Sequence, residues 1–201
     1  SRLVKIEGDL AVENNLYLHD INGLEKLRTI GGDLKFHSNS QQGQFIQRGS
    51  DLNGESEYDG FGSYVALSEN GSVLAIAGPG NDTYGRNSGH VRVFEWSQSV
   101  WSQRGNDIDG ETLLERSGKS LALSADGSVL AIGAPGSSNN NGGVRIHYWN
   151  GLRWNQRGND IFMDTGGNHF GWSVSLSSDG SVLAIKNPDP SGDVRIYKWS
   201  G

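Results

Sequence analysis

An acidic phrase recurs along this chain: Asp51, Glu55 and Asp59, then Asp107, Glu111 and Glu115, then Asp160 and Asp164. Carboxylates spaced in this way on a loop can converge on a hard cation, and calcium asks for about six to eight oxygens. Asp51, Glu55, Asp59, Asp107 and Glu111 are therefore the calcium candidates, while no step of the reading requires a cofactor. The third copy lacks the Gly-Glu pair of the first two. The alternative is that the first Asp of each phrase caps a turn and the rest face water.

Two sets of arginines recur with the same rhythm: Arg48, Arg104 and Arg157, and Arg92, Arg145 and Arg195. A guanidinium on an inner strand needs a partner, and Asp51, Asp107 and Asp160 are placed to supply a matching carboxylate fork. Trp96, Trp149 and Trp199 repeat at one position, and Trp101 and Trp154 at another. Indoles of this kind either pack sheet against sheet or stack on the apolar face of a sugar, which makes Trp101 and Trp154 sugar-binding candidates. Asn70-Gly71-Ser72 and Asn81-Asp82-Thr83 are glycosylation sequons, relevant if the chain is secreted.

No catalytic constellation emerges. His19, His37, His90, His147 and His169 fall at non-equivalent positions and form no His-x-x-x-His pair. Gly-x-Ser-x-Gly is absent, and the Gly-rich loops open no helix that could cradle a phosphate. With no cysteine, thiol catalysis, disulfides and thiolate metal sites are excluded together. A net charge of -6 with both signs dispersed offers no basic stripe for nucleic acid. No apolar run approaches the roughly 20 residues of a membrane-spanning helix.

The elements that carry these residues are strands. Ser68-Glu69-Asn70-Gly71-Ser72-Val73-Leu74-Ala75-Ile76 returns as Ser124–Ile132 and again as Ser177–Ile185. Each copy sets an Asn-Gly or Asp-Gly pair between two apolar runs, which predicts a hairpin on a type I′ turn. A strand ending in Trp96, Trp149 or Trp199 follows, then a short one ending in Gln-Arg-Gly, and Phe45–Gly49 supplies the matching strand before the first copy. Gln47, Gln103 and Gln156 are 56 and 53 residues apart, so each repeat holds four strands at the period of a propeller blade. The chain is predicted to be all-β, with blades at about 44–97, 98–150 and 151–201. The 30 glycines serve the turns.

Residues 1–40 stand outside this repeat. Ile6-Glu7-Gly8-Asp9-Leu10 and Ile30-Gly31-Gly32-Asp33-Leu34 open short alternating strands about 24 residues apart, with leucines between, the period of a leucine-rich solenoid coil. This segment resembles the receptor L domain family. Ser38–Gly43 is the expected linker.

From Phe45 onward the chain resembles the FG-GAP repeats of the integrin alpha propeller. The carrying residues are Phe61-Gly62, Phe170-Gly171, Gly133-Ala134-Pro135 and the Gly-x-Val-Arg-Val strand. The resemblance implies propeller-type blades and an extracellular or cell-surface setting. The family's calcium loop does not carry over, because the hairpins here hold only Ser-x-Asp-Gly-Ser or Ser-Glu-Asn-Gly-Ser.

Three blades leave open edges and faces, since propellers close with about four to eight. Closure by a second copy or by further parts of a larger surface protein is the natural expectation. The expected function is a non-enzymatic adhesion or structural module that works through protein partners or self-association, possible without any bound ion. A carbohydrate-binding lectin is the alternative, with glycans as ligands.

Overall fold

The computed structural model describes residues 4–6, 10–13, 27–30, 34–37, 45–137, 141–163, 169–188 and 192–201. His19, the linker Ser38–Gly43 and Asp164 lie outside the described residues. The chain divides into two compact units, Ser1–Gln47 and Arg48–Gly201. The division falls a few residues after the linker read from composition.

In the first unit, β1 (Val4–Ile6) pairs in parallel with β3 (Leu27–Ile30), and β2 (Leu10–Glu13) with β4 (Leu34–His37). Ile6 faces Ile30 and Leu10 faces Leu34. Parallel neighbours need a long crossover, and here its length sets each phrase beside its own repeat, as in a solenoid coil.

The second unit is three antiparallel sheets. The first holds β5 (Tyr64–Leu67), β6 (Val73–Gly78), β7 (His90–Ser97) and β8 (Val100–Gln103), with β9 (Ile108–Asp109) on the other end of β7. The second repeats that plan with β10 (Ser120–Leu123), β11 (Val129–Ala134), β12 (Gly143–Trp149), β13 (Trp154–Gln156) and β14 (Ile161–Phe162). The third has β15 (Ser173–Leu176), β16 (Val182–Lys186) and β17 (Val194–Lys198). The protein is thus all-β, as its repeats predict. Phe45–Gly49, expected as a strand, is irregular. Among the described residues no helix is long and apolar enough to cross a membrane.

The hairpin turns differ from the expected type I′. A type I′ turn puts both central residues at positive φ. Here only the glycines do, at 67°, 69° and 66° for Gly71, Gly127 and Gly180. The Asn or Asp before each glycine folds its side chain back instead. Asp126 Oδ1 accepts from Ser124 Oγ at 2.7 Å and from the Ser128 N–H at 2.9 Å, and Asn70 and Asp179 do the same. These donors hold the Asp179 carboxyl down at about 2, and the same bonds outweigh partial burial to keep Asp126 low.

The sheets stack face to face. Val73, Ala75, Ala77, Val91 and Val93 of the first meet Leu130 and Ile132 of the second, with Leu121 and Leu123 packed alongside. Ala131 and Val144 of the second meet Phe170, Val174, Leu183 and Ile185 of the third. The rule is general: the first strand of each later sheet lies on the first and second strands of the sheet before it, β10 on β5 and β6 and β15 on β10 and β11. Close approach is helped by glycine at one point in particular, because a Cβ at Gly133 would stand 2.1 Å from the Gly171 carbonyl.

Candidate functional site

The fourth strand of each complete sheet is split. β8 and β9 both pair with β7, and β13 and β14 both pair with β12. The break leaves residues 104–107 in one sheet and 157–160 in the next outside the ladders, with Gly105 and Gly158 turning the chain at φ 85° and 80°. A polar cluster forms beside each break.

In the second sheet the cluster centres on Arg145. Its Nε donates to Asp160 Oδ2 at 2.9 Å, its Nη1 donates to Glu115 Oε1, and its Nη2 lies 3.3 Å from Glu111 Oε2. Glu115 is fully buried, and its other oxygen accepts the N–H groups of Glu111 and Thr112 at 2.7 and 2.9 Å. Burial works against the Arg145 charge, but the three carboxylates outweigh it and raise its pKa further.

In the first sheet the equivalent Arg92 is held less directly. It hydrogen-bonds Gln103 Oε1 at 3.0 and 3.3 Å and the Asn53 carbonyl at 3.3 Å. Its distances to Asp107 Oδ1 and Glu55 Oε1 are both 3.7 Å, ionic contacts without a hydrogen bond. His90, one strand position from Val91, adds its Nδ1 at 3.6 Å from Asp107 Oδ2.

The five calcium candidates therefore do not gather round one ion. Glu55 and Asp107 come together. Asp59 is buried and accepts from Asn81 Nδ2 at 3.0 Å, Glu111 faces Arg145, and Asp51 is exposed. The expectation that the later members of each phrase face water fails for Asp59 and Glu115, which are enclosed. The sequence pattern gives His90 no role because its position does not recur; Gly143 and Asp193 stand there in the other copies.

The expected pairing with aspartate is seen for two arginines of the second set. Arg92 and Arg145 meet Asp107 and Asp160, whereas Arg48, Arg104 and Arg157 lie over the rings of Trp96, Trp149 and Trp199 at 4.5, 4.9 and 4.4 Å. Each of these three also donates to the carbonyl of a hairpin glycine: Gly71, Gly127 or Gly180. Trp101 and Trp154 give their indole N–H to the Arg48 and Arg104 carbonyls at 2.9 Å, and their rings meet Trp96 and Trp149 at 5.3 and 5.6 Å. The parallel recurrence of the arginines, 56 and 53 residues apart, and of the tryptophans, 53 and 50 apart, is the sequence signal for this clamp.

Trp154 nonetheless borders an open groove of about 480 Å³ between the first two sheets, with Tyr84, Asp107, Asp109, Glu111, His147 and Arg153. Burial, reinforced by the nearby Asp107, pushes the Asp109 carboxyl up. His147 is pushed down to about 4 by burial and by Arg145, against a smaller pull from Asp160. Of the two sequons, Asn70 sits exposed at a hairpin tip, while Asn81 is buried with its amide nitrogen on Asp59. A glycan on Asn81 requires this buried amide to open to solvent.

The chain matches no protein-family model and no curated protein. Among solved structures it is similar to a candidate 6-phosphogluconolactonase from Bacteroides uniformis, at 15% identity and a TM-score of 0.49, over 68% of this chain and 36% of that one. It is also similar to TolB from Acinetobacter baumannii, at 12% identity and a TM-score of 0.43, over 69% of this chain and 30% of that one. The chain spans only about a third of either length, and likeness at this level says nothing about its chemistry.

Proposed function

We propose that this chain is a non-enzymatic adhesion or structural module of the cell surface or extracellular space. It assembles through its outer sheet faces, with another copy or with further blades of a larger surface protein. One observation carries the reading. Val91 and Val144 are fully buried against the next sheet, yet Val194, at the same position in the third sheet, is 60% exposed, and its neighbour Ile196 is 73% exposed. At the opposite end, Val65 and Leu67 are exposed, though Leu121 and Leu123 in the same places pack on the preceding sheet.

The two exposed faces are complementary, because they are the two halves of the contact made twice inside the molecule. Joining them is a head-to-tail association, which closes into a ring or extends into a filament. Each apolar side chain contributes roughly 1.5–3 kcal/mol on burial, and association costs about 4–15 kcal/mol. Four such side chains contribute roughly 6–12 kcal/mol, the same size as that cost, so weak association that depends on concentration is expected. In sedimentation velocity, Val194→Lys with Ile196→Lys is expected to reduce the association of the wild-type chain. Equal sedimentation of variant and wild type at every concentration would count against the reading. The extracellular setting rests on the resemblance of the repeats.

The groove at Trp154 favours a second reading, a lectin. Three carboxylates able to accept sugar hydroxyls stand there with two aromatic rings. A glycan array should then give a hit that Asp109→Asn and Arg153→Ala each weaken at least tenfold without changing the melting temperature. An array without hits removes this reading and leaves the first intact.

A further inference from the structure

His90 is completely enclosed, and neither ring nitrogen has a hydrogen-bond partner. Buried polar groups are rarely left so, and each such case calls for a ligand or a cost. Asp107 Oδ2 is 3.6 Å from Nδ1, too far for a hydrogen bond. One donor atom each from Glu55, His90 and Asp107 lies within 4.8 Å of the other two. Donors on a tetrahedral ion with bonds of about 2.0 Å stand about 3.3 Å apart. The His90–Asp107 pair already has nearly that spacing, and Glu55, whose side chain is half exposed, is free to close the rest.

The second sheet supplies an internal comparison. There Gly143 replaces the histidine, and Arg145 hydrogen-bonds its carboxylates directly. Where the histidine is present, the arginine stands back at 3.7 Å and turns its hydrogen bonds to Gln103 and Asn53. Gly78 makes room for the imidazole, since a Cβ there would be 2.7 Å from His90 Nε2. Histidine and a retracted arginine thus occur together; Asp107 Oδ1 accepts from Gln103 Nε2 at 2.6 Å, and Asp107 Oδ2 and Glu55 are left to face another cation.

We propose that Glu55, His90 and Asp107 bind one divalent transition ion of the zinc type. An imidazole with two carboxylates suits zinc, whereas calcium and magnesium select all-oxygen sites. The ion offsets the two carboxylate charges and gives His90 Nδ1 the partner it lacks. Three protein donors leave a fourth position for water or for a donor from outside. Arg92 remains as a neighbouring positive charge and moderates the affinity.

Calorimetric titration of the chelator-treated full chain with Zn²⁺ tests this, with Ca²⁺ in parallel. One Zn²⁺ per chain is expected, with affinity at least tenfold lower in Glu55→Gln and in Asp107→Asn. Glu57→Gln, an exposed carboxylate of the same loop, should leave binding unchanged. In the wild type the His90 imidazole NMR signals should shift as zinc is added, a readout that survives if a His90 variant fails to fold. Equal zinc affinity in wild type and Glu55→Gln, unmoved His90 signals, or tighter binding of calcium than of zinc each overturns the assignment. The site is independent of the assembly reading, because a chain that stays monomeric can still bind the ion.

Discussion

Arg145→Met is expected to destabilise the sheet stack by about 3–5 kcal/mol, the usual cost of stranding a buried charge. Glu115 is fully enclosed, and with Arg145 gone its carboxylate keeps only the backbone N–H groups of Glu111 and Thr112 and the Thr112 hydroxyl. For a unit of this size the loss corresponds to a melting temperature lower by roughly 10 °C. Arg145→Met combined with Glu115→Gln should recover much of it, since the stranded charge is then removed too. Arg92→Met should cost clearly less, because its carboxylates stand at 3.7 Å and Glu55 is half solvated. Urea melts of the four proteins check the order; an unchanged Arg145→Met would remove the network from any account of stability.

Acid should weaken the fold through His147. Its folded pKa of about 4 lies below the ordinary value of 6.5, so the unfolded chain binds the proton more readily. Stability is therefore full above about pH 7 and falls as pH drops through 6.5 towards 4. The linkage relation puts the loss from this one group at about 2 kcal/mol between pH 7.5 and 5. Arg145, Asp160 and the groove carboxylates Asp107, Asp109 and Glu111 surround it, and the low pKa of Asp126 and Asp179 keeps the hairpins ionised over this range. Phe94 occupies the matching place in the first sheet and is buried there. His147→Phe should accordingly flatten the pH dependence of the unfolding free energy by that amount. If the two proteins lose stability in parallel from pH 7.5 to 5, His147 is not the sensor.

Much of this architecture is legible in the sequence because the repeat is local and periodic. Asn-Gly and Asp-Gly between apolar runs mark each hairpin, and the 24-residue phrase at the start becomes a parallel ladder. Tertiary context decides what the period cannot. The turn type depended on side-chain bonds from Ser and Asp that replace a second positive φ. The irregular path of Phe45–Gly49 follows from no local signal, since it shares its Gln-Arg-Gly phrase with β8 and β13, which do form ladders. Glu115 and Asp59 look like solvated members of an acidic phrase, yet both are buried, Glu115 on Arg145 and Asp59 on Asn81. His90 is a singleton, and a reading built on recurrence passes over singletons.

The central claim is that the exposed face of the first sheet fits the exposed face of the third on another molecule. Mixing two blocked variants tests it most directly: Val65→Lys with Leu67→Lys, and Val194→Lys with Ile196→Lys. Each variant retains one intact face, so each alone should sediment as a monomer while their mixture forms a one-to-one dimer. A wild-type chain that stays monomeric across the concentration series, or a mixture that remains two monomers, contradicts the account.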